Sequence, residues 1–362
     1  MSTIFIDPGK NATKCLKLSN TYEIEKYFLF ESKVKEVSNF SDYEDSAWNG
    51  NYAITMNGEN YIAGSIVPNY NYESTKVNNH HKVCIYTGLS ALITSPNETI
   101  DLVIGIPSGE RSNKNMVDKY MEMFPKGNHS IILNGIDKSF EINSVSVYPE
   151  GMCVKARLIN TDNHPDCETI HCIDIGGYNT NYRGYDRLGN VISVLSLDKA
   201  GVNVLESEVR KRLYKELDRS KYKIESVNIH KALLERRIAK VADEDLQNYK
   251  TTTELLDFET NSFIENNIIA PLSAQEINLK TKGDLVIVSG GGSIVFKEYL
   301  KEFLKNNIED ICFVENAQWE NIVSYVVKYF SDLMKHPDKT DLTKMMIQMI
   351  ISNIINTEFT EK

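Results

Sequence analysis

Three glycine turns, each closing an apolar strand, constrain what this chain can fold into. Asp7-Pro8-Gly9 follows Ser2-Thr3-Ile4-Phe5-Ile6, Asp174-Ile175-Gly176-Gly177 follows Ile170-His171-Cys172-Ile173, and Gly290-Gly291-Gly292 follows Asp284-Leu285-Val286-Ile287-Val288. β-Branched runs ended by turn formers read as strands. Glycine lets the backbone turn sharply and leaves bare N–H groups open to a phosphate. An aspartate at each of the first two strand ends adds a carboxylate beside the turn, which suits Mg²⁺ with its few carboxylates, retained waters and phosphate oxygens. A single Asp-x-Gly turn is ordinary punctuation, because Asp bonds its own downstream backbone. Its recurrence in both halves, with a third glycine turn later, points to a metal-nucleotide held between two similar domains. The Gly-x-x-x-x-Gly-Lys-Ser/Thr loop is absent and no Gly-x-Gly-x-x-Gly follows the first strand, which argues against a P-loop or a Rossmann protein.

Length and composition narrow the class further. At 362 residues the chain suits two domains of ordinary size, and 41% hydrophobic with 25% charged residues is globular. No stretch reaches the ~20 apolar residues of a membrane span, and a strand begins almost at once where an export signal would stand, so a cytoplasmic protein off the membrane is expected. The cysteines at 15, 84, 153, 167, 172 and 312 never form Cys-x-x-Cys, which predicts reduced core thiols and no zinc site. His80-His81 in an Asn-rich stretch reads as a loop cap. A net charge of −10 disfavours direct binding to nucleic-acid phosphates or anionic lipid, so any role on DNA needs a basic adaptor.

Along the chain, strands are predicted near 3–7, 12–18 and 25–30, then a polar Asn- and Tyr-rich insertion over about 38–82 with Asn57-Gly58 as a hairpin turn. Helices are predicted near 82–94 and 112–124 around a strand at 101–106, then a hairpin at Asn134-Gly135 and a helical run from Glu150. The theme repeats with strands at 169–174, 180–184 and 191–195, helices near 201–217, 226–240 and 260–277, and a strand at 284–288. Arg236, Arg237 and Lys240 make a short basic patch, read as a solvated helix face. Leu342, Met345, Met346, Met349, Ile350 and Ile354 fall at helical spacing in the tail, an amphipathic helix expected to pack on its own domain.

Taken together, these pieces resemble the actin-like ATPases, and most closely the ParM/StbA group of plasmid-segregation filaments. Asp7-Pro8-Gly9-Lys10-Asn11-Ala12-Thr13-Lys14 resembles the group's first phosphate loop, Tyr148-Pro149-Glu150 its Pro-Glu turn, and Cys172-Ile173-Asp174-Ile175-Gly176-Gly177 its second phosphate loop. Ala200-Gly201-Val202-Asn203 is similar to the start of a nucleotide-contacting helix, Val286–Gly292 to the adenosine motif, and Asn316–Asn321 to the segment that returns the chain to the first domain. The resemblance implies an α/β fold of two related domains, each a β-sheet flanked by helices, with the nucleotide in the interdomain cleft. Domain I would span 1–168 with its insertion at about 38–82, domain II 169–315, and C-terminal helices 316–362 would return to domain I.

It also implies ATP, or GTP in its place, with Mg²⁺ as cofactors. Asp7 and Asp174 would hold the metal through water, and with Glu150 would carry catalysis, Glu150 orienting the attacking water. The remaining nucleotide contacts would come from Gly9, Lys10, Asn11, Lys14, Gly176, Gly177, Tyr178, Asn179, Gly201, Gly290, Gly291 and Gly292. Lys10-Asn11 and Tyr178-Asn179 depart from the small hydroxyl residues of relatives, so the side-chain donors to phosphate differ while backbone donors remain. The implied partners are further copies of the chain in a filament, and an adaptor protein on a plasmid centromere. A sugar or acid kinase of the same superfamily and a nucleotide-binding scaffold without turnover are the alternative functions.

Overall fold

The computed structural model describes residues 1–43, 50–71, 73, 75–164, 167–216, 227–237, 246–281, 283–304, 311–335 and 341–359. Contacts divide the chain into two compact units, Met1–Ile159 with Gln318–Lys362, and Asn160–Ala317.

The first unit is built on a mixed sheet of nine described strands. These are β1 (Ser2–Pro8), β2 (Ala12–Leu18), β3 (Ile24–Glu31), β4 (Val34–Val37), β5 (Asn51–Met56), β6 (Glu59–Gly64), β7 (Glu98–Ile106), β8 (Gly127–Leu133) and β9 (Ile136–Pro149), in the order β3-β2-β1-β7-β9-β8-β5-β6-β4. β1 lies antiparallel to β2 and parallel to β7, and β7 parallel to β9. The 38–82 region, expected as an inserted subdomain, supplies β5 and β6 to this sheet and carries a small cluster in which Ala53, Ile62 and Val67 are buried. Its hairpin turns at Asn57-Gly58, and that of β8–β9 at Asn134-Gly135, with all four residues at positive φ as a type I′ turn requires.

Side chains alternate across β1 with period two, and each set finds its own layer. Ile4 and Ile6 face α1 (Asn79–Leu92) and α3 (Lys114–Glu122), the latter preceded by the short α2 (Ser108–Arg111). Phe5 faces the opposite way, into a core with Leu16, Val103, Trp319 and Tyr325. That layer is made by α10 (Glu320–Met334) and α11 (Asp341–Asn356), with Phe359 stacked on Trp319 at 5.1 Å between centroids. The tail does pack on its own unit, through part of the stripe expected: Ile354 is buried and Ile350 packs against the core, joined by Ile347 and Phe359, while Met345, Met346 and Met349 are exposed on the other side of the helix.

Gly105 on β7 shows how close the second layer sits. A Cβ built there would lie 2.0 Å from the Tyr325 hydroxyl oxygen of α10. Tyr325 is fully buried, so the ring has nowhere to go. Gly105→Ala is expected to cost about 1–3 kcal/mol by overpacking, read as a lowered midpoint in urea with an unchanged slope.

After α4 (Val154–Asn163), within which the division falls, the second unit carries a sheet of order β12-β11-β10-β13-β14 among its described residues. The strands are β10 (Thr169–Ile175), β11 (Thr180–Asp186), β12 (Val191–Leu197), β13 (Leu285–Ser289) and β14 (Ile311–Phe313). Ile173, Ile175, Val286 and Val288 pack on α5 (Val202–Glu216), α6 (Ile229–Glu235), α7 (Leu246–Ile264) and α9 (Ser293–Leu304). The helix expected over 260–277 is instead the end of α7, a π-helical turn at Glu265–Ile269 and the short α8 (Ala270–Ser273). Pro271 lacks an N–H to continue the ladder, and the register shifts just ahead of it. Lys240 lies outside the described residues. Arg236 and Arg237 are not a bare solvated face: Arg236 pairs with Asp257 and Glu302 and lies over the Tyr299 ring at 4.6 Å, and Arg237 pairs with Glu235.

Candidate nucleotide site

In the first unit, Asp7 ends β1 fully buried, 1% exposed, directly opposite Lys14 of β2. That cross-strand register brings the Lys14 ammonium to 3.3 Å from the Asp7 carboxylate. The turn between them closes by the Gly9 N–H donating to the Asp7 carbonyl at 2.9 Å. A Cβ on Gly9 would fall 2.8 Å from the Ala12 carbonyl oxygen and 3.1 Å from Lys14 Nζ, so only glycine fits this tight turn. Lys10 is buried and Asn11 exposed.

Glu150 stands directly after β9, its N–H donating to the Ile106 carbonyl at 2.9 Å. It is not a helix-start carboxylate, since the helical run expected from it begins only at Val154. Gly151, at φ 69°, turns the chain and donates its N–H to Asn321 Oδ1 of α10 at 2.9 Å, while Ser108 at the start of α2 donates its hydroxyl to the Glu150 carbonyl.

Lys76 joins the two carboxylates. Its ammonium donates to Glu150 Oε1 in a short contact and lies 3.7 Å from Asp7 Oδ1, with the side chain sealed from water. Burial alone would raise the Asp7 pKa, but the Lys14 and Lys76 charges and bonds from Lys14 and Asn321 outweigh it and hold the carboxyl below its usual range. Burial would likewise lower the Lys76 pKa, and the charges of Glu150, Asp7 and Glu110 carry it above the ordinary lysine value instead. Glu110 nearby is pushed up, chiefly by burial. His81 is in the first turn of α1 rather than a loop; burial with the Lys76 and Lys10 charges keeps its pKa well down, so it is a neutral neighbour. Sequence reading named Asp7, Lys14 and Glu150 and missed Lys76 and Asn321. Nothing local distinguishes Lys76 from any loop lysine, because its role exists only through a sheet pairing that brings β1 and β9 alongside β7.

In the second unit, Asp174 is 5% exposed near the end of β10, opposite Ser289 of the parallel β13, whose hydroxyl reaches its Oδ1 at 3.5 Å. The turn that follows is tied on two sides. Gly176 N–H donates to the Asn179 carbonyl at 2.9 Å, while Val202 and Asn203 at the head of α5 donate to the Gly176 and Gly177 carbonyls at 3.1 and 2.8 Å. Gly201 donates to the Tyr178 carbonyl at 2.9 Å, and a Cβ on it would meet the Gly177 and Tyr178 backbone at 2.4 Å. On the other side Gly292 donates to the Ile175 carbonyl at 2.9 Å, and Gly290, at φ +84°, passes so near that a Cβ would lie 2.4 Å from both Asp174 Oδ1 and the Ile175 oxygen. Gly291 has nothing within 4 Å of such an atom and marks the open side of the turn. Tyr178 is half-buried, and Asn179 is buried and closes the turn by its carbonyl.

This arrangement gathers glycine backbone and the head of the long helix α5, whose N–H groups carry partial positive charge, around one buried carboxylate. Among the described residues no group of three or more His, Cys, Asp or Glu is placed to hold a metal ion directly. A single buried carboxylate beside a glycine turn would suit Mg²⁺ held through water, since that ion takes one or two carboxylates and completes its shell with water and phosphate oxygens. None of the six cysteines is in a disulfide and all but Cys312 are buried; burial pushes the Cys84 thiol up to about 12.

Two mixed sheets, each with three antiparallel strands feeding into parallel neighbours and each closed by an aspartate and a glycine turn, decide the fold. The chain has the actin-like fold. Residues 6–152 match the family model described as the N-terminal domain of actin-like proteins. An archaeal actin homologue, Ta0583, superposes with a TM-score of 0.65 at 17% identity over 90% of this chain and 98% of its own. The same homologue in complex with ADP gives 0.62 at 14% identity, over 90% and 98%. A 15-stranded ParM filament from Clostridium botulinum gives 0.63 at 19% identity, over 90% and 97%. No curated protein matches the chain. Among the described residues of this actin-like chain, no helix is long and apolar enough to cross a membrane.

Proposed function

We propose that this actin-like chain is a nucleotide-driven, filament-forming ATPase that moves or segregates plasmid DNA through a DNA-bound adaptor. The observation that carries it is the repeated device of a buried aspartate beside a glycine turn, Asp7 with Gly9 and Asp174 with Gly176, Gly177 and Gly290. Support comes from the homologue solved with ADP and from the ParM solved as a filament. Bound Mg²⁺ would supply charge neutralisation on the phosphate oxygens. Asp7 and Asp174 orient the waters of that ion, Lys14 binds phosphate, and the glycine turns leave the phosphates room to approach the backbone. Glu150 accepts a hydrogen bond from the attacking water and aligns it. Filament growth then follows from a head-to-tail contact whose rotation does not close.

The discriminating experiment follows phosphate release from Mg-ATP and Mg-GTP as protein concentration rises. A filament ATPase turns over cooperatively above a critical concentration without any small-molecule acceptor. Phosphate release strictly proportional to protein defeats this reading, and ADP formed only when a sugar or acid is added, without matching free phosphate, favours the kinase alternative.

A further inference from the structure

The first unit holds a cation that the turn motifs do not account for. Lys76 lies between β6 and α1, and the backbone around it is fixed before the side chain is. Asn78 caps α1 with Oδ1, which accepts from His81 N at 2.9 Å, and the same amide donates through Nδ2 to the Thr75 carbonyl at 2.8 Å. The Asn78 N–H donates to the Lys76 carbonyl at 2.9 Å, and Val77 N–H to Thr75 Oγ1 at 3.1 Å. Lys76 is thus bracketed on both sides by the helix cap, and its side chain is 1% exposed.

We propose that Lys76 is the positioning residue for Glu150: its ammonium, anchored through the α1 cap, holds the Glu150 carboxylate in one orientation beside Asp7. Four charged groups meet there from separate elements, Asp7 from β1, Lys14 from β2, Lys76 from the approach to α1 and Glu150 after β9, with Glu110 of α2 behind them. Two carboxylates this deeply buried repel each other unless a cation stands between them. Lys76 is that cation, and it restricts the rotamers of a side chain whose task is alignment. Its service to water orientation rests on the hydrolase reading above, whereas its hold on Glu150 does not.

The test combines a stability cycle with kinetics. Melting of the parent, Lys76→Met, Glu150→Gln and the double variant should be coupled: Lys76→Met strands Glu150 and lowers the melting temperature, and adding Glu150→Gln recovers part of the loss. With Mg-ATP, Lys76→Met should bind nucleotide within about threefold of the parent while phosphate release falls by about tenfold or more, and Lys76→Arg, which keeps the charge on a larger head, should recover part of that rate. Additive melting shifts would overturn the contact as a functional pair. Unchanged release from Lys76→Met would reduce Lys76 to a structural bridge and defeat the proposal. A parent that binds ATP and releases no phosphate defeats the hydrolase reading instead, and the melting cycle then decides alone whether Lys76 holds Glu150.

Discussion

Glu150→Ala is expected to form filaments that scarcely release phosphate, with the rate lower by ~10²–10⁴-fold, the usual worth of a positioned proton acceptor or water-orienting group. On the proposed reading, binding would rely on the glycine turns and the two aspartates, which the change leaves in place, so polymer should still appear and, without its disassembly trigger, persist. The structure adds a stability effect. Lys76 bonds Glu150 in the interior, and stripping one partner from a buried pair leaves an uncompensated charge at about 3–5 kcal/mol, softened here because Asp7 lies 3.7 Å from the same ammonium. Glu150→Gln keeps an acceptor for Lys76 and separates the two effects: it should melt nearer the parent yet hydrolyse as poorly as the alanine variant. Phosphate release at the parent rate from Glu150→Ala filaments would show the carboxylate idle. Complete loss of polymer by Glu150→Gln would show it structural.

Asp174→Ala is expected to abolish assembly. The carboxylate is buried beside the turn that Gly290 and Gly292 press against, and backbone hydrogen bonds tie that turn on both sides, so the second unit should fold. What is lost is negative charge where the hydrated cation would sit, leaving the phosphates less compensated. Polymer should then require at least about tenfold more protein, each factor of ten being ~1.4 kcal/mol. Sedimentation with Mg-ATP, beside a far-UV spectrum matching the parent, measures this. Normal pelleting by a folded Asp174→Ala protein removes Asp174 from the site.

How much could be read beforehand depended on how local the cause is. The strands at both aspartates and the turns at Asn57-Gly58 and Asn134-Gly135 follow from a few adjacent residues, and the actin-like fold followed from the resemblance of the Asp7, Asp174 and Gly290 segments, in that order, to the motifs of that family. The place of β5 and β6 in the main sheet did not, because polar composition hides a pairing of β5 with β8 whose partner lies far along the chain. Period alone marked the tail as a helix, but not whether the methionines or the isoleucines faced inward. In the site, Asp7 was visible from the turn that closes its strand and Lys14 from the resemblance of the loop it ends. Lys76 was not, since its partners arrive from strands β1 and β9, and only the folded sheet reveals that a buried ammonium links them.

Negative-stain microscopy of the pure protein, with and without Mg-ATP, tests the central claim most directly. Filaments that appear with Mg-ATP and are absent without nucleotide are the predicted result. A field of single particles with ATP, GTP and a non-hydrolysable analogue alike, or the same polymer whether or not nucleotide is present, would contradict it.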